Sequence, residues 1–157
     1  MKVMLTKTAI AVLAGGAMFL GIASAHSEST GNKEADFRIA EMKKLGGNMG
    51  AISKVVKGEA NYSEALNDNA KEIAEIAANM TNLFPEGSGV EASRAKPEIW
   101  DAQYAADFQQ DIEQFQAASG QLVAAVQSGD VDMMGAALKE TGGTCGACHK
   151  QFRKPKN

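Results

Sequence analysis

Positions 38, 42, 45, 49, 52 and 56 read Arg, Met, Leu, Met, Ile and Val, stepping by four and three residues as one stripe of an amphipathic helix does. This seam predicts a first helix over about residues 33–57. A second seam runs through Leu66, Ala70, Ile73, Ala77, Met80 and Phe84, with Ser63 placed to cap its start and Pro85 to stop it. A third passes through Tyr104, Phe108, Ile112, Phe115, Leu122 and Val126, entered near Pro97 and closed by Gly129. The fourth takes Asp130 as its N-cap and carries Met134, Leu138, Thr141, Cys145, Cys148 and Phe152. No strand-like alternation competes. The expected fold is all-α, an antiparallel up-down-up-down four-helix bundle with two short links and a longer central loop over 85–96. The heptad-like spacing predicts shallow crossing angles and a left-handed twist.

Gly46, Gly47 and Gly50 interrupt the first seam, each at about 1 kcal/mol relative to alanine. Their presence suggests that the backbone there approaches a bulky group or another helix closely, or else that the helix breaks.

The pattern changes character ahead of residue 26. Lys2 and Lys7 precede an apolar run from Ala9 to Ile22, and Ala23-Ser24-Ala25 forms a small-x-small site, which together predict a secretory signal peptide over 1–25 and a mature domain over 26–157. The run is too short for the about 20 residues of a membrane span. The expected location is therefore periplasmic, with no membrane association after cleavage. Lys2 and Lys7 are the only charges in that segment, so without them 14 basic residues face 19 acidic ones and the net charge moves from −3 to −5. This balance offers nothing to nucleic acid and favours positively charged protein partners at encounter.

Two cysteines in an exported chain ordinarily form a disulfide. Here they stand three apart and a histidine follows: Cys145-Gly146-Ala147-Cys148-His149 is C-x-x-C-H, the attachment motif of c-type haem. On one helical turn, positions three apart share a side, so both thiols can add to the vinyl groups along one porphyrin edge. The next residue can then offer a neutral imidazole to the iron. A thioredoxin-like pair would open a helix after a strand in an α/β fold, and a zinc site would need a further ligand beside two cysteines and a histidine. One covalently attached haem c is the expected cofactor.

With Phe152-Arg153 closing it, the stretch from Thr144 to Arg153, Thr-Cys-Gly-Ala-Cys-His-Lys-Gln-Phe-Arg, resembles the cytochrome c′ family, including its low-spin c-556 branch. Phe37-Arg38 followed by Met42, Val56-Lys57-Gly58-Glu59, Leu83-Phe84-Pro85-Glu86-Gly87 and Pro97-Glu98-Ile99-Trp100 extend the likeness over the whole mature chain. Cytochromes c′ are a known example of the up-down-up-down bundle. The resemblance implies a haem enclosed by four helices, with His149 as proximal ligand and Met42 above the distal face. Cytochromes c′ carry at that place a residue that blocks the iron without binding it, and the c-556 branch a methionine that is the sixth ligand. It further implies that Arg38 pairs with a haem propionate and that Arg153 lies on the proximal side. Without the resemblance, Arg38 reads as a solvated helix charge and Arg153 as a cation complementing the helix dipole. Phe37, Phe152, Trp100 and Met49 read as core.

Two functions follow from one scaffold. If Met42 binds the iron, a His/Met pair suits an electron carrier meeting redox partner proteins. The Met42-Lys43-Lys44-Leu45-Gly46-Gly47-Asn48-Met49 pattern resembles the c-556 branch and favours that reading. If Met42 only packs over it, the open position suits a small gas ligand, nitric oxide or carbon monoxide. An enzyme is not expected, because the distal side carries no histidine and Arg38 alone is polar there. The oligomeric expectation is a monomer or a homodimer.

Overall fold

The structure, a computed structural model, describes residues 29–155. The segment expected to be a signal peptide lies outside the described residues. Four α-helices form the bundle: α1 (Lys33–Val56), α2 (Leu66–Ala78), α3 (Ala105–Ser128) and α4 (Val131–Phe152). Each packs on its neighbours in a closed ring, α1 on α2, α2 on α3, α3 on α4 and α4 on α1, with no direct packing across either diagonal. That ring is the antiparallel arrangement the four seams predict.

Local signals set the helix ends. Asn32 accepts from the Ala35 amide at 2.8 Å to start α1, and Asp130 accepts from Asp132 and Met133, both at 2.9 Å, to start α4 as expected. Gly129 stops α3 at φ +72°, a left-handed conformation that glycine adopts without a Cβ penalty. Ser63 is not the cap of α2. The helix opens after Ala65 with no side-chain cap, and Ser63 offers only its carbonyl to the Leu66 amide. Two further boundaries differ from the seams. The second helix gives way after Asn79 to a 3₁₀ turn, Met80–Leu83, over which the Asn79 side-chain oxygen accepts from the Asn82 side-chain amide at 2.8 Å. Pro97 opens a 3₁₀ turn, Pro97–Trp100, rather than α3; the extended Asp101 follows, caps Gln103, and a second 3₁₀ turn leads into Ala105.

Helix α1 runs unbroken through Gly46, Gly47 and Gly50, and a methyl group at any of them would meet no protein atom within 4 Å. The expected close approach of another helix is therefore absent. The buried stripe of α1 is Ala35, Arg38, Glu41, Leu45, Asn48, Ile52 and Val55, so Met42 and Met49 flank it half-buried. Asn48 bridges to α2, donating to Glu72 at 2.7 Å and accepting from Asn69 at 2.8 Å. Phe37, expected in the core, is 55% exposed.

One end of the bundle is packed solid. Ile52, Ile73, Leu122, Val126 and Met134 are fully buried there, and the Tyr62 hydroxyl donates to the Val126 carbonyl at 3.1 Å to close it. The other end holds the start of α1 and α3, the end of α4, and the α2–α3 loop. It contains a cavity.

Candidate functional site

The cavity has a volume of about 660 Å³, within the range of cofactor sites. Helix α1 supplies Met42, Leu45, Gly46 and Met49, α3 supplies Phe108, Ile112 and Phe115, and α4 supplies Cys145, Cys148, His149 and Phe152. Met42, His149 and both thiols thus share one apolar chamber. Gly46 faces it too, and so retains the open space that a bulky guest needs. Gly47 and Gly50 do not line the cavity and carry no such reason.

Burial governs the chemistry of the motif. It pushes the Cys145 thiol up, and pushes Cys148 up to about 12 with help from the charges of Asp111 and Cys145. Both thiols are protonated at neutral pH, whereas a catalytic dithiol depends on a lowered thiol pKa. His149 moves the other way: burial first, then the positive charges of Arg153 and Arg94, hold its pKa below the ordinary value and keep the imidazole neutral. Neutral imidazole is the metal-binding form. Among the described residues no cluster of three His, Cys, Asp or Glu side chains is arranged to hold a metal ion, so zinc has no ready set of ligands.

Arg38 is 4% exposed. Its guanidinium donates to the Leu83 carbonyl (3.0 Å), the Ser88 hydroxyl (2.7 Å) and carbonyl (2.8 Å), and the Ser93 hydroxyl (3.2 Å). Its carbon lies 4.9 Å from the Phe84 ring centre and 5.9 Å from that of Trp100. The first helix is thereby clasped to the α2–α3 loop. All four acceptors are neutral, so the cation lines the cavity without a carboxylate of its own, and burial lowers its pKa. Trp100 donates its indole N–H to the Phe84 and Pro85 carbonyls. Phe152 is buried as expected, stacked edge-on against Phe108 at 5.1 Å between ring centres.

The sequence reading missed three charged residues in the lining: Lys43, Arg94 and Asp111. Asp111 falls beside the Phe108–Ile112 stripe, which placed it near the interior. One of its carboxylate oxygens is buried without a partner, and burial, then neighbouring Asp107, raise its pKa. Arg94 carries no periodic signal; it arrives through a loop. Arg153 is exposed and reaches the same rim. The charged lining is therefore Arg38, Lys43, Arg94 and Arg153 against Asp111 alone, a cationic wall suited to an apolar group bearing carboxylates. The apolar chamber, the paired thiols, the neutral imidazole and this wall together fit a haem.

Comparison with known proteins agrees. A sequence model of the family described as Cytochrome C′ matches residues 33–153. A cytochrome c′ of Pararhodospirillum photometricum is 34% identical over 120 residues, 76% of this chain and 94% of that protein. A cytochrome c-556 of Agrobacterium tumefaciens (strain apple 185) is 33% identical over 129 residues, 78% and 95% of the two chains. Among solved structures, a ferrous variant of cytochrome c prime from Alcaligenes xylosoxidans with bound nitric oxide superposes with a TM-score of 0.70 at 32% identity, covering 78% of this chain and 94% of the other. From the shared bundle, the motif and these relatives together, the chain belongs to the cytochrome c′ family, haem proteins whose haem c is covalently attached.

Proposed function

We propose that the protein is an exported, periplasmic electron carrier in which Cys145 and Cys148 hold the haem as thioethers, His149 is the proximal ligand and Met42 the sixth. The observation that carries this reading is that Met42 from α1 and His149 from α4 line the same apolar cavity as the two thiols. Haem supplies a one-electron iron couple. The chain's part is to fix the ligands: α4 presents both thiols and the imidazole from one stretch of helix, and α1 brings the thioether of Met42 to the chamber. A His/Met pair raises the reduction potential. Arg38 and the other lining cations offset the charge of the propionates, and the buried guanidinium of Arg38, which has no carboxylate among its partners, is suited to receive one of them. Arg153, which helps keep His149 neutral, belongs to the proximal rim. The α1 wall offers no histidine or carboxylate to the cavity, and acid–base turnover of peroxide would need one.

A second reading has its own support. Solved relatives from Alcaligenes xylosoxidans hold nitric oxide in one case and carbon monoxide in another. If Met42 only packs over the iron, this protein binds such gases instead.

The test is the visible spectrum of the holoprotein, ferric and ferrous, with and without carbon monoxide, beside a Met42→Ala variant. Low-spin bands unmoved by the gas in the parent, becoming high-spin and gas-sensitive in the variant, support the carrier. Bands that shift with gas in the parent favour the second reading, and a variant with unchanged spin state removes Met42 as ligand.

A further inference from the structure

We propose that the chain carries its own catalyst for bonding the haem: the carboxylate of Asp111 moves the proton by which the Cys148 thiol adds to a vinyl group. The inference goes beyond the carrier and gas-binding readings and holds under either, because it concerns how the cofactor becomes bonded and not what occupies the sixth position of the iron. It begins with the register of α3 against α4, which three contacts set. Gln151 donates to the Asp107 carboxylate at 3.1 Å, Phe152 meets Phe108 edge-on at 5.1 Å between ring centres, and the Thr141 hydroxyl donates to the Ala118 carbonyl at 3.3 Å. The helices run antiparallel between these fixed points. One turn on from Asp107 in α3 and one turn back from Gln151 in α4 therefore bring Asp111 level with Cys148. Both residues line the cavity, and the charge of Asp111 acts on the Cys148 thiol. The next turn of α3 brings Phe115, another lining residue, level with Thr144 and Cys145. The first cysteine thus has an aromatic ring at its level where the second has a carboxyl.

Nothing else engages this carboxyl oxygen. Asp111 Oδ2 is buried and has no hydrogen-bond partner. Asp107 on the same helix is bonded to Gln151 and adds only a like charge. Of the cations lining the chamber, Arg38 directs its guanidinium to the α2–α3 loop and Arg94 to the Lys154 carbonyl. Among the described residues, neither Lys43 nor Arg153 pairs with a carboxylate. A buried acceptor without a donor calls for a reason, and the group at its level is a donor, a thiol. Thiols are mostly undissociated at neutral pH and are poor nucleophiles in that form, and an adjacent base activates them. Desolvation makes this carboxylate a stronger base than an exposed one. In the step, Asp111 Oδ2 takes the proton from Cys148 Sγ, the sulfur bonds to the vinyl carbon next to the ring, and Asp111 passes the proton to the terminal vinyl carbon. The S–H bond and the π bond break, a C–S and a C–H bond form, and the carboxylate is regenerated. No oxidant or reductant enters the balance.

The test adds ferrous haem, under dithionite, to the whole chain from residue 26 onward made without attachment. Samples are acid-quenched over time, alkylated, digested and weighed, so thioether formation is read at each cysteine separately and Cys145 serves as the internal clock. The expected result is bonding at both cysteines in the parent. Asp111→Asn should slow it at Cys148 about a hundredfold, the scale of general acid–base catalysis, and leave Cys145 at the parental rate. Asp111→Glu should restore Cys148 to within about tenfold of the parent, and Asp107→Asn, one turn away, should leave both rates unchanged. A Cys148 rate in Asp111→Asn within about threefold of the parent would overturn the proposal. Equal slowing at both cysteines, the mark of impaired haem uptake or folding, would overturn it too, as would a parent chain that forms no thioether. None of these outcomes depends on the spin state or gas sensitivity of the iron, so failure of the carrier reading would register separately.

Discussion

Replacing Arg38 with leucine isolates the clasp between α1 and the α2–α3 loop. The guanidinium makes four buried hydrogen bonds spanning 45 to 55 positions of sequence. After substitution the Ser88 hydroxyl keeps its bond to the Pro85 carbonyl and the Ser93 hydroxyl keeps the Ala95 amide. The Leu83 and Ser88 carbonyls lose their guanidinium donors. Each buried group left unmade costs about 1–3 kcal/mol, and release of a desolvated cation returns part of that, for a net loss of about 2–4 kcal/mol. For a domain of this size that lowers Tm by roughly 10 °C, measurable by circular dichroism of the holoprotein. Amide exchange should rise most over residues 84–95. Arg38→Lys, which keeps the charge with fewer donors, should fall between, and Lys43→Met, which removes an exposed lining cation with no hydrogen bond to the loop, should change stability by less than about 1 kcal/mol. An Arg38→Leu protein melting within 2 °C of the parent would refute the reasoning.

Other outcomes are equally specific. Gly89→Ala would set its methyl 2.5 Å from the Trp100 ring and should cost about 1–3 kcal/mol, read as a lower midpoint in urea. Phe152→Ala empties a buried site and should cost about 3–5 kcal/mol, while Phe37→Ala, at an exposed ring, should stay within about 0.5 kcal/mol. Asp111→Asn tests a carboxyl whose folded pKa lies above its ordinary value of 3.8. Such a group disfavours the folded state progressively as pH rises past that value. The variant should therefore melt higher than the parent at pH 7 and at the same temperature at pH 3, where both forms are neutral; a lower melting temperature at pH 7 would contradict the assignment.

The local elements were legible because their causes are local. Apolar residues recurring at three and four positions form a helix wherever they bury a stripe, and Asp130 and Gly129 cap their helices with neighbouring atoms alone. The C-x-x-C-H motif is likewise complete within one turn of α4, so its thiols and imidazole fall together in any fold that keeps that turn. Capping failed at Ser63 because competing turns at Glu64 and Ala65 intervene, a choice that propensity alone does not make.

What only the tertiary structure decided depends on groups distant in the chain. The Arg38 seam position anticipates burial but not its partners, because the acceptors arrive on a loop some fifty residues later. Met42 and Met49 are half-buried rather than buried because they face the cavity, and no period in α1 encodes a void. Net charge gave a sign that the cavity mouth reverses, since a total carries no positions. The Ala95–Arg153 bridge, which pairs the α2–α3 loop with the end of α4, brings Arg94 and Arg153 to the same wall. Sequence by itself determined four helices, the bundle and the attachment turn; the chamber, the clasp and the local field required distant segments to be brought together.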